Sequence, residues 1–339
     1  MFNRAYEKIL QLPGYLKIWV KSFTGALTVF CVIGLILLPF SSNTPTFQNV
    51  MLRTFTHAMI FSIFAASWDF LAGIAGQVSF GHTMFLGVAG YVCAILVKFL
   101  LFPMWISIFI GAFAAVLFGL IIGIPCLRLK GPYLALGTLS FSIIILLILI
   151  MGSLSEYLFG GAGIPALPRL SNDPTEEYLY VLAFMVISLI LLIRISKSKF
   201  GTILKSIRDD DIGSQASGIN ITRYKIYAFM ISGFFAGIAG SLYALFITAV
   251  NPSGNFGLIN SFLAIIMASL GGIATISGSA LGAFFFIFIE YVLIQMGFGN
   301  YVYLIFSILL IIVVRFAERG LLKPILERLK DLFDIVLGR

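Results

Sequence analysis

Long stretches of apolar residues, separated by short polar segments, run through most of this 339-residue chain. Residues 22–40, 101–127 and 131–155 carry no charge, and each approaches or exceeds the roughly 20 residues that a helix needs to cross a bilayer core. The same pattern along the rest of the chain predicts ten membrane-spanning helices. Their approximate bounds are 22–40, 54–75, 78–99, 104–126, 132–154, 178–195, 226–248, 259–276, 279–297 and 301–315.

Two of these spans are weaker than the others. Glycines and polar residues interrupt residues 78–99 and 259–276, so one of them could be a re-entrant or broken segment. Non-helical backbone occurs at membrane depth only where it is buried in protein or lines a wet cavity. The pattern therefore predicts an all-α, polytopic membrane protein with eight to ten transmembrane helices.

Charged residues make up 11% of the chain, against about 25% in a typical soluble domain. Nearly all Lys and Arg residues lie in the two terminal segments, one short loop and one long loop, and such a bias marks cytoplasmic loops. We expect a cytoplasmic N-terminal segment (1–21), a transmembrane domain (22–315) with a cytoplasmic loop (196–225), and a cytoplasmic tail (316–339). The net charge of +8 then marks the cytoplasmic face rather than nucleic-acid binding.

Pairs of glycines occur four residues apart, which places both glycines of a pair on one side of a helix. In lipid, helices associate through close backbone approach at such small residues. We expect these pairs to mark helix contacts within the protein. They are Gly119 with Gly123, Gly233 with Gly237, and Gly278 with Gly282.

One short sequence occurs twice, as LAGIAG at 71–76 and FAGIAG at 235–240. The predicted topology runs the first copy toward the cytoplasm and the second away from it. Opposite directions are typical of inverted-topology repeats, which many transporters contain. An inverted repeat is therefore a possible feature of the fold.

Several classes of catalytic and energy-converting site are absent from the sequence. The chain has no Gly-Lys dipeptide, which excludes a phosphate-binding P-loop, and no GxSxG motif. Its two histidines are far apart and its three cysteines lie widely spaced in apolar runs, so we expect no metal, no cofactor and no enzymatic activity. Only Asp69 and Glu290 place a carboxylate inside a predicted span. Either the solute moves passively, or another subunit supplies the energy.

The loop 196–225 has the pattern of two short helices at the membrane surface. Phe200, Ile203, Leu204 and Ile207 recur at helical spacing, and three aspartates precede a second segment that ends at Gly218. Acidic residues favour a helix N-terminus and glycine the position after a helix end. The loop is either an interfacial element without a partner or a docking element whose apolar side chains enter a cleft of a cytoplasmic motor.

Gln77, Ser79 and His82 lie among four glycines at the start of a predicted span. Such a cluster indicates either a helix break along a translocation path or hydrogen bonding between helices. Asp69, eight residues before Gln77, is a further path candidate because intramembrane carboxylates are commonly functional. It could instead pair with His82 or lie near the cytoplasmic rim.

Four stretches together resemble the permease subunits of ABC importers for branched-chain amino acids, the LivM type. They are LAGIAGQVSFGHTMFLGVAGYVCAIL (71–96), LRLKGPYLALGTLSFSIIILLIL (127–149), SKFGTILKSIRDDDIGSQASGINITRYKIYAFMISGFFAGIAGSLYAL (198–245) and ASLGGIATISGSALGAFF (268–285).

The resemblance implies a permease subunit in a bacterial or archaeal inner membrane that moves branched-chain or similar amino acids inward. It further implies a second, LivH-like permease, two cytoplasmic ATPase subunits that bind the ATP, and an extracytoplasmic substrate-binding protein. The stretch FGTILKSIRDDDIGSQASGIN is similar to the family's ATPase-facing loop. It points to Ile207, Arg208, Asp209, Asp210 and Gly218 as coupling residues.

One external loop departs from the family pattern. Residues 159–170, FGGAGIPALPRL, keep the glycines and Gly-Ile-Pro but lack a leading threonine, which leaves the substrate open. Relatives of this type carry urea or amides. The alternative from a different class is a stand-alone secondary transporter or channel for a small polar solute.

Overall fold

The computed structural model describes residues 34–35, 39, 45–126, 129, 131–151 and 159–316. The chain forms two compact units, residues 1–52 with 323–339 and residues 53–322, and the contacts below lie within the second unit. The helices are α1 (Pro45–Asp69), a π-helical turn (Phe70–Ile74), α2 (Thr83–Lys98), α3 (Met104–Cys126), α4 (Pro132–Met151), α5 (Pro174–Lys197), α6 (Lys199–Asp209), α7 (Asp211–Ala216), α8 (Ile221–Ile247), α9 (Pro252–Phe256), α10 (Leu258–Gly271), α11 (Ile276–Gln295) and α12 (Val302–Phe316).

Within the described residues, seven helical segments are long and apolar enough to cross a membrane. They are formed by α1 with the π-helical turn, α3, α4, α5, α8, α9 with α10, and α11. Two shorter apolar helices, α2 and the segment Gly299–Ile308, accompany them. The predicted all-α polytopic fold is confirmed. The first predicted span, 22–40, lies outside the described residues except for three positions.

The prediction of a continuous span over residues 78–99 is wrong at its start. Helix α2 begins at Thr83, and residues 76–82 are not helical. Gly76 has a φ of +68°, a left-handed conformation that glycine adopts without steric cost. The 16 residues of α2 rise only about 24 Å, less than the hydrocarbon core. This span is therefore a broken helix, the alternative that its glycines and polar residues indicate.

Helix α5 begins before the predicted span 178–195 because its first turn is capped. The Asp173 carboxylate accepts a hydrogen bond from the Thr175 amide at 3.0 Å, and Pro174 occupies the first turn. Glu177, one residue before the predicted span, therefore lies inside the helix with 4% of its surface exposed. A hydropathy scan misses this turn because its stabilising residues are polar.

Helices α2, α3 and α8 pack against one another around the ring of Phe85. A Cβ at Gly119 of α3 or at Gly233 of α8 would lie 2.5 and 2.7 Å from the Phe85 ring, so both positions must be glycine for the ring to fit. A Cβ at Gly237 would lie 2.8 Å from the backbone of Ala112. These contacts confirm that the glycine pairs mark close helix packing within the protein.

Helices α10 and α11 form a second close pair. The backbone of Gly278 faces the carbonyl of Gly271, and Gly282 faces the carbonyl of Met267, with no room for a Cβ at either position. The third predicted glycine pair is therefore also a helix contact. The turn between these two helices, residues 272–275, is consequently tight.

The two copies of the repeated sequence have different local structures. Residues 71–76 form the end of the π-helical turn and the start of the non-helical segment, whereas residues 235–240 lie within the continuous helix α8. Their likeness does not extend to backbone conformation. An inverted-topology repeat stays a prediction.

The loop 159–170, which follows α4, is anchored at the end of α8 opposite to α6 and α7. Ile164 and Val250 exchange two backbone hydrogen bonds of 2.7 and 3.0 Å, and the Leu167 amide donates to the Thr248 carbonyl at 2.9 Å. Ile164 and Leu167 are buried in an apolar cluster with residues of α2 and α8. The Gly-Ile-Pro part of this loop thus holds it against the helices.

We expect Gly81→Ala to destabilise the protein, because a Cβ at position 81 would overlap the backbone carbonyl of Thr138. Overpacking of this kind costs about 1–3 kcal/mol. The loss is measured as a lower thermal midpoint of the detergent-purified protein. Gly161→Ala is the matched control, since a Cβ there meets no atom within 4 Å. Equal midpoints for the two variants would contradict the contact between residue 81 and α4.

Candidate functional site

Residues 75–82, the break segment, connect the π-helical turn to α2 without helical structure. Residues of α1 and of the π-helical turn hold its backbone through two hydrogen bonds. The Gln77 amide donates to the Leu71 carbonyl at 2.9 Å, and the indole N–H of Trp68 donates to the Ser79 carbonyl at 2.8 Å. These contacts replace part of the hydrogen bonding that a helix would provide at membrane depth.

Helix α4 also holds the backbone of the break segment, through the side chain of Thr138. The Thr138 hydroxyl oxygen accepts hydrogen bonds from the amides of Phe80 and Gly81, at 3.2 and 3.4 Å. Thr138 is fully buried. One hydroxyl group therefore satisfies two consecutive backbone donors that have no helical partner.

A buried cluster of hydroxyl groups fixes the start of α2. The Thr83 amide donates to Ser261 Oγ of α10 at 3.0 Å, and Thr83 Oγ1 lies 3.2 Å from Ser142 Oγ of α4. Sequence reasoning missed Thr138, Ser142 and Ser261. The signal was present, because Thr138 and Ser142 are polar residues four positions apart in an otherwise apolar span.

His82 lies at the end of the break segment and is fully buried. Its Nε2 atom is 3.0 Å from Ser67 Oγ of α1. The ring packs between Phe64 and Phe85, at centroid distances of 5.1 and 5.2 Å. His82 therefore makes the hydrogen bond between helices that the sequence offers as the alternative to a path role.

Gln77 and Ser79 differ in their surroundings. Gln77 is 6% exposed and lines a cavity, and its side-chain amide donates weakly to the Ala75 carbonyl at 3.3 Å. Ser79 is buried and does not line this cavity. Of the four predicted path residues, only Gln77 reaches the cavity surface, and a path role for all four stays a prediction.

Asp69 is fully buried at the end of α1. Its Oδ1 atom accepts a hydrogen bond of 2.7 Å from the amide of Ala274, in the turn between α10 and α11. The structure does not pair Asp69 with His82, whose partner is Ser67. The carboxylate instead lies next to the N-terminus of α11, where the helix dipole favours negative charge.

The loop 196–225 forms two short helices, α6 and α7, which confirms its predicted structure. Ser198 caps α6 by accepting from the Gly201 amide at 3.4 Å, and Asp210 caps α7 by accepting from Gly213 at 3.0 Å. Gly218 follows α7 with a φ of +83°. The aspartates and the glycine therefore occupy the positions that helix capping predicts.

The apolar side of α6 faces the protein's own helices. Leu204 and Ile207 are 0% and 1% exposed, because α6 packs on α5, α8 and the π-helical turn. In the chain by itself these two side chains are therefore covered by its own helices, and coupling roles for Ile207, Arg208, Asp209, Asp210 and Gly218 stay predictions. On the neighbouring α7, by contrast, Ile212 is 81% exposed. Among the described residues of this loop, Ile212 is the large apolar side chain that is exposed.

Arg208 also points into the protein. Its Nη1 atom donates to the carbonyl of Gly73, in the π-helical turn, at 2.6 Å, and its other nitrogens bind Asp209. A Cβ on Gly76 would lie 2.7 Å from Arg208 Cγ, so the aliphatic part of the arginine rests on this glycine. Arg208 thus joins α6 to the place where α1 and its π-helical turn end.

A cavity of about 600 Å³ lies between the break segment, the first residues of α4 and the α6–α7 loop. This volume falls within the range of small-molecule sites. Its polar lining includes Gln77, Arg208 and the ion pair of Lys225 with Asp211, whose charged atoms are 2.9 Å apart. The rest of the wall is mainly apolar, so the cavity offers an amide and charges of both signs within an apolar wall.

Among the described residues, no group of three or more His, Cys, Asp or Glu side chains is placed to hold a metal ion. Cys93 and Cys126 are free and buried, and Cys31 lies outside the described part of the chain. Glu290, the second intramembrane carboxylate, is partly buried on α11. The groups available to a ligand at the cavity are thus hydrogen-bonding and ionic side chains.

Residues 50–314 match the model of the family described as branched-chain amino acid transport system / permease component. This match covers well over half of the chain. The protein belongs to this family.

Two LivM proteins illustrate the relationship. The permease is 26% identical over 304 residues to the high-affinity branched-chain amino acid transport system permease protein LivM of Escherichia coli. The aligned region covers 81% of the permease and 70% of the relative. It is 24% identical over 241 residues to the probable LivM of Methanocaldococcus jannaschii. Here the aligned region covers 65% of the permease and 69% of the relative.

A further relative belongs to a different import system. The permease is 28% identical over 200 residues to the autoinducer 2 import system permease protein LsrC of Yersinia pestis, with 54% and 55% of the chains covered. No solved structure gives a significant match.

These relationships confirm the family predicted from the sequence. The protein is a permease subunit of an ABC importer and a multi-pass membrane protein. Its relatives are transport components. The matched region contains the break segment, the cavity and the α6–α7 loop.

We expect Gln77→Leu to lower solute uptake by the permease while its stability and membrane insertion are unchanged. The amide lines the cavity, and its hydrogen bond within the protein is weak. Uptake is measured in vesicles that contain the complete transporter. Gln295→Leu, an exposed position at the end of α11, is the control. Normal uptake by Gln77→Leu would show that this side chain has no role in the path.

Proposed function

We propose that the permease moves branched-chain amino acids, or amino acids of similar character, into the cell. The family description and the LivM relatives support this substrate class. The lining of the cavity agrees with it, since a zwitterion needs hydrogen-bonding groups and charges of both signs, and an apolar side chain needs an apolar wall. In importers of this kind the binding protein provides most of the discrimination between solutes.

The complete transporter would contain a second, LivH-like permease, two cytoplasmic ATPase subunits and an extracytoplasmic substrate-binding protein. The permease is 32% identical over 108 residues to the probable LivH of Methanocaldococcus jannaschii, which supports pairing with a related chain. These residues make up 31% of the permease. ATP would bind to the ATPase subunits, and this chain would use no cofactor of its own.

The observation that carries the proposed coupling to ATPase subunits is the exposed apolar side chain of Ile212 on the α6–α7 loop. Leu204 and Ile207 anchor it to the membrane domain, while Ile212 projects from α7 with 81% of its surface exposed. Asp209 and Asp210 lie beside it on the exposed side. A single apolar side chain within a charged rim is typical of a protein contact. We assign Ile212 as the anchor that enters the ATPase subunit.

The proposed orientation follows from the distribution of charge. Cytoplasmic loops are enriched in Lys and Arg, and the segment from Arg194 to Lys225 is the richest in the described part of the chain. The cavity and the turn 272–275 then lie toward the cytoplasm. The loop 159–170, at the other end of α8, lies outside and is available to the binding protein.

We expect Ile212→Ser to weaken retention of the ATPase subunits by about tenfold or more, as substitution of an interface anchor typically does. The permease itself should fold, because position 212 is exposed. The readout is the amount of ATPase that co-purifies with the membrane-inserted permease.

Ile247→Ser is the matched control, since Ile247 is 45% exposed at the opposite end of α8. If Ile212→Ser retained the ATPase subunits fully, α7 would not be the contact with them. Uptake by this chain alone, in vesicles without ATP, would contradict the proposal as a whole. Titration of the purified substrate-binding protein with leucine, urea and acetamide then identifies the solute.

A further inference from the structure

Two polar contacts attach the α6–α7 loop to the membrane domain: the Asp211–Lys225 ion pair to α8 and a hydrogen bond from Arg208. Arg208 donates to the Gly73 carbonyl at 2.6 Å, a short hydrogen bond from a charged donor, and such bonds are stronger than neutral ones. Gly73 lies in the π-helical turn that follows α1. The last carbonyls of a helix have no partner within the helix. A cation near this end is also stabilised by the negative end of the helix dipole. Arg208 satisfies both requirements.

The same helix end holds the turn before α11. Asp69 accepts a hydrogen bond from the Ala274 amide at 2.7 Å, across 205 positions of sequence. This turn is conformationally demanding, because Ala274 has a φ of +66° and Gly272 a φ of +104°. An alanine in the left-handed region is uncommon and persists only where the surroundings fix it. The carboxylate of Asp69 provides such a fixed contact.

Gly73 lies between the two attachments. A Cβ at position 73 would overlap both the Asp69 carboxylate and the Ala274 amide. The absence of a side chain therefore allows the turn to approach the helix directly beside the carbonyl that Arg208 binds. The loop, the helix end and the start of α11 form one continuous chain of contacts.

We infer that Asp69 is a positioning residue that transmits movement of the α6–α7 loop to the N-terminus of α11. A displacement of α6 pulls on the Gly73 carbonyl through Arg208. Because Asp69 is one turn earlier on the same helix and holds the Ala274 amide, the displacement shifts α11 and the adjoining break segment together. This inference rests on the proposed function, in which the ATPase moves the loop.

A purely structural role would have another signature. If Asp69 only stabilised the turn, its loss would reduce folding, ATP hydrolysis and uptake in parallel. If it transmits movement, its loss leaves an assembled transporter that hydrolyses ATP without moving solute. The ratio of solute moved to ATP hydrolysed therefore distinguishes the two roles.

The experiment uses the complete reconstituted transporter with Asp69→Ala, Asp69→Asn and Glu290→Ala. We expect Asp69→Ala to lower solute moved per ATP by about tenfold, with ATPase subunits still bound. Asp69→Asn keeps an oxygen that accepts from the Ala274 amide, so it should restore most of the ratio. Glu290→Ala, the other intramembrane carboxylate, should leave the ratio unchanged. An unchanged ratio in Asp69→Ala, or no recovery in Asp69→Asn, would overturn the inference.

Arg208→Met tests the other attachment and does not require a change in the buried core. Methionine keeps an aliphatic chain over Gly76 but cannot donate to the Gly73 carbonyl, and the arginine side chain is one-third exposed. We expect the same loss of solute moved per ATP, with the ATPase subunits retained through Ile212. A normal ratio in this variant would also overturn the inference. Absence of the ATPase subunits from the unmodified transporter would instead contradict the proposed function.

Discussion

The structure depends on one constraint, which is that a membrane-spanning helix ends inside the protein rather than at its edge. The backbone from Phe70 to His82 leaves regular α-helical hydrogen bonding, first in a π-helical turn and then in the break segment. Water is scarce at this depth, so each free amide and carbonyl must find a partner in the protein. The indole of Trp68, the hydroxyl of Thr138 and the guanidinium of Arg208 supply these partners from three different helices. The helices around the break are consequently held in fixed positions relative to one another.

Small residues make these contacts possible. In lipid, apolar surfaces gain little from meeting one another, so helix association depends on close packing and on hydrogen bonds. Gly81 lets the break segment reach the backbone of α4, and Gly73 lets the turn before α11 reach Asp69. A methyl group at either position would separate a donor from its acceptor. The same glycines that weaken the helical pattern in the sequence therefore create the polar contacts that stabilise the break.

The sequence was sufficient for features that depend on local pattern. Hydropathy predicted most spans, the cluster from Gln77 to His82 indicated the break, and the amphipathic spacing around Ile207 predicted α6. It was insufficient where the outcome depends on distant residues. Nothing near Asp69 indicates a partner 205 positions away, and periodicity identifies the apolar side of α6 without showing what covers it. The inward direction of Arg208 follows from the π-helical turn, which no sequence pattern reveals.

Arg208 and Asp69 both bond to backbone groups at helix ends. Arg208 lies at the C-terminal, negative end of α1 and its π-helical turn, and Asp69 lies beside the N-terminal, positive end of α11. Each side chain therefore finds a backbone partner at a helix terminus, which offsets part of the cost of burying a polar group. Because each side chain bonds to the backbone, the proposed displacement of α6 would move a helix end rather than a side chain alone. In the proposed mechanism, this arrangement lets the α6–α7 loop act on the helices that surround the cavity.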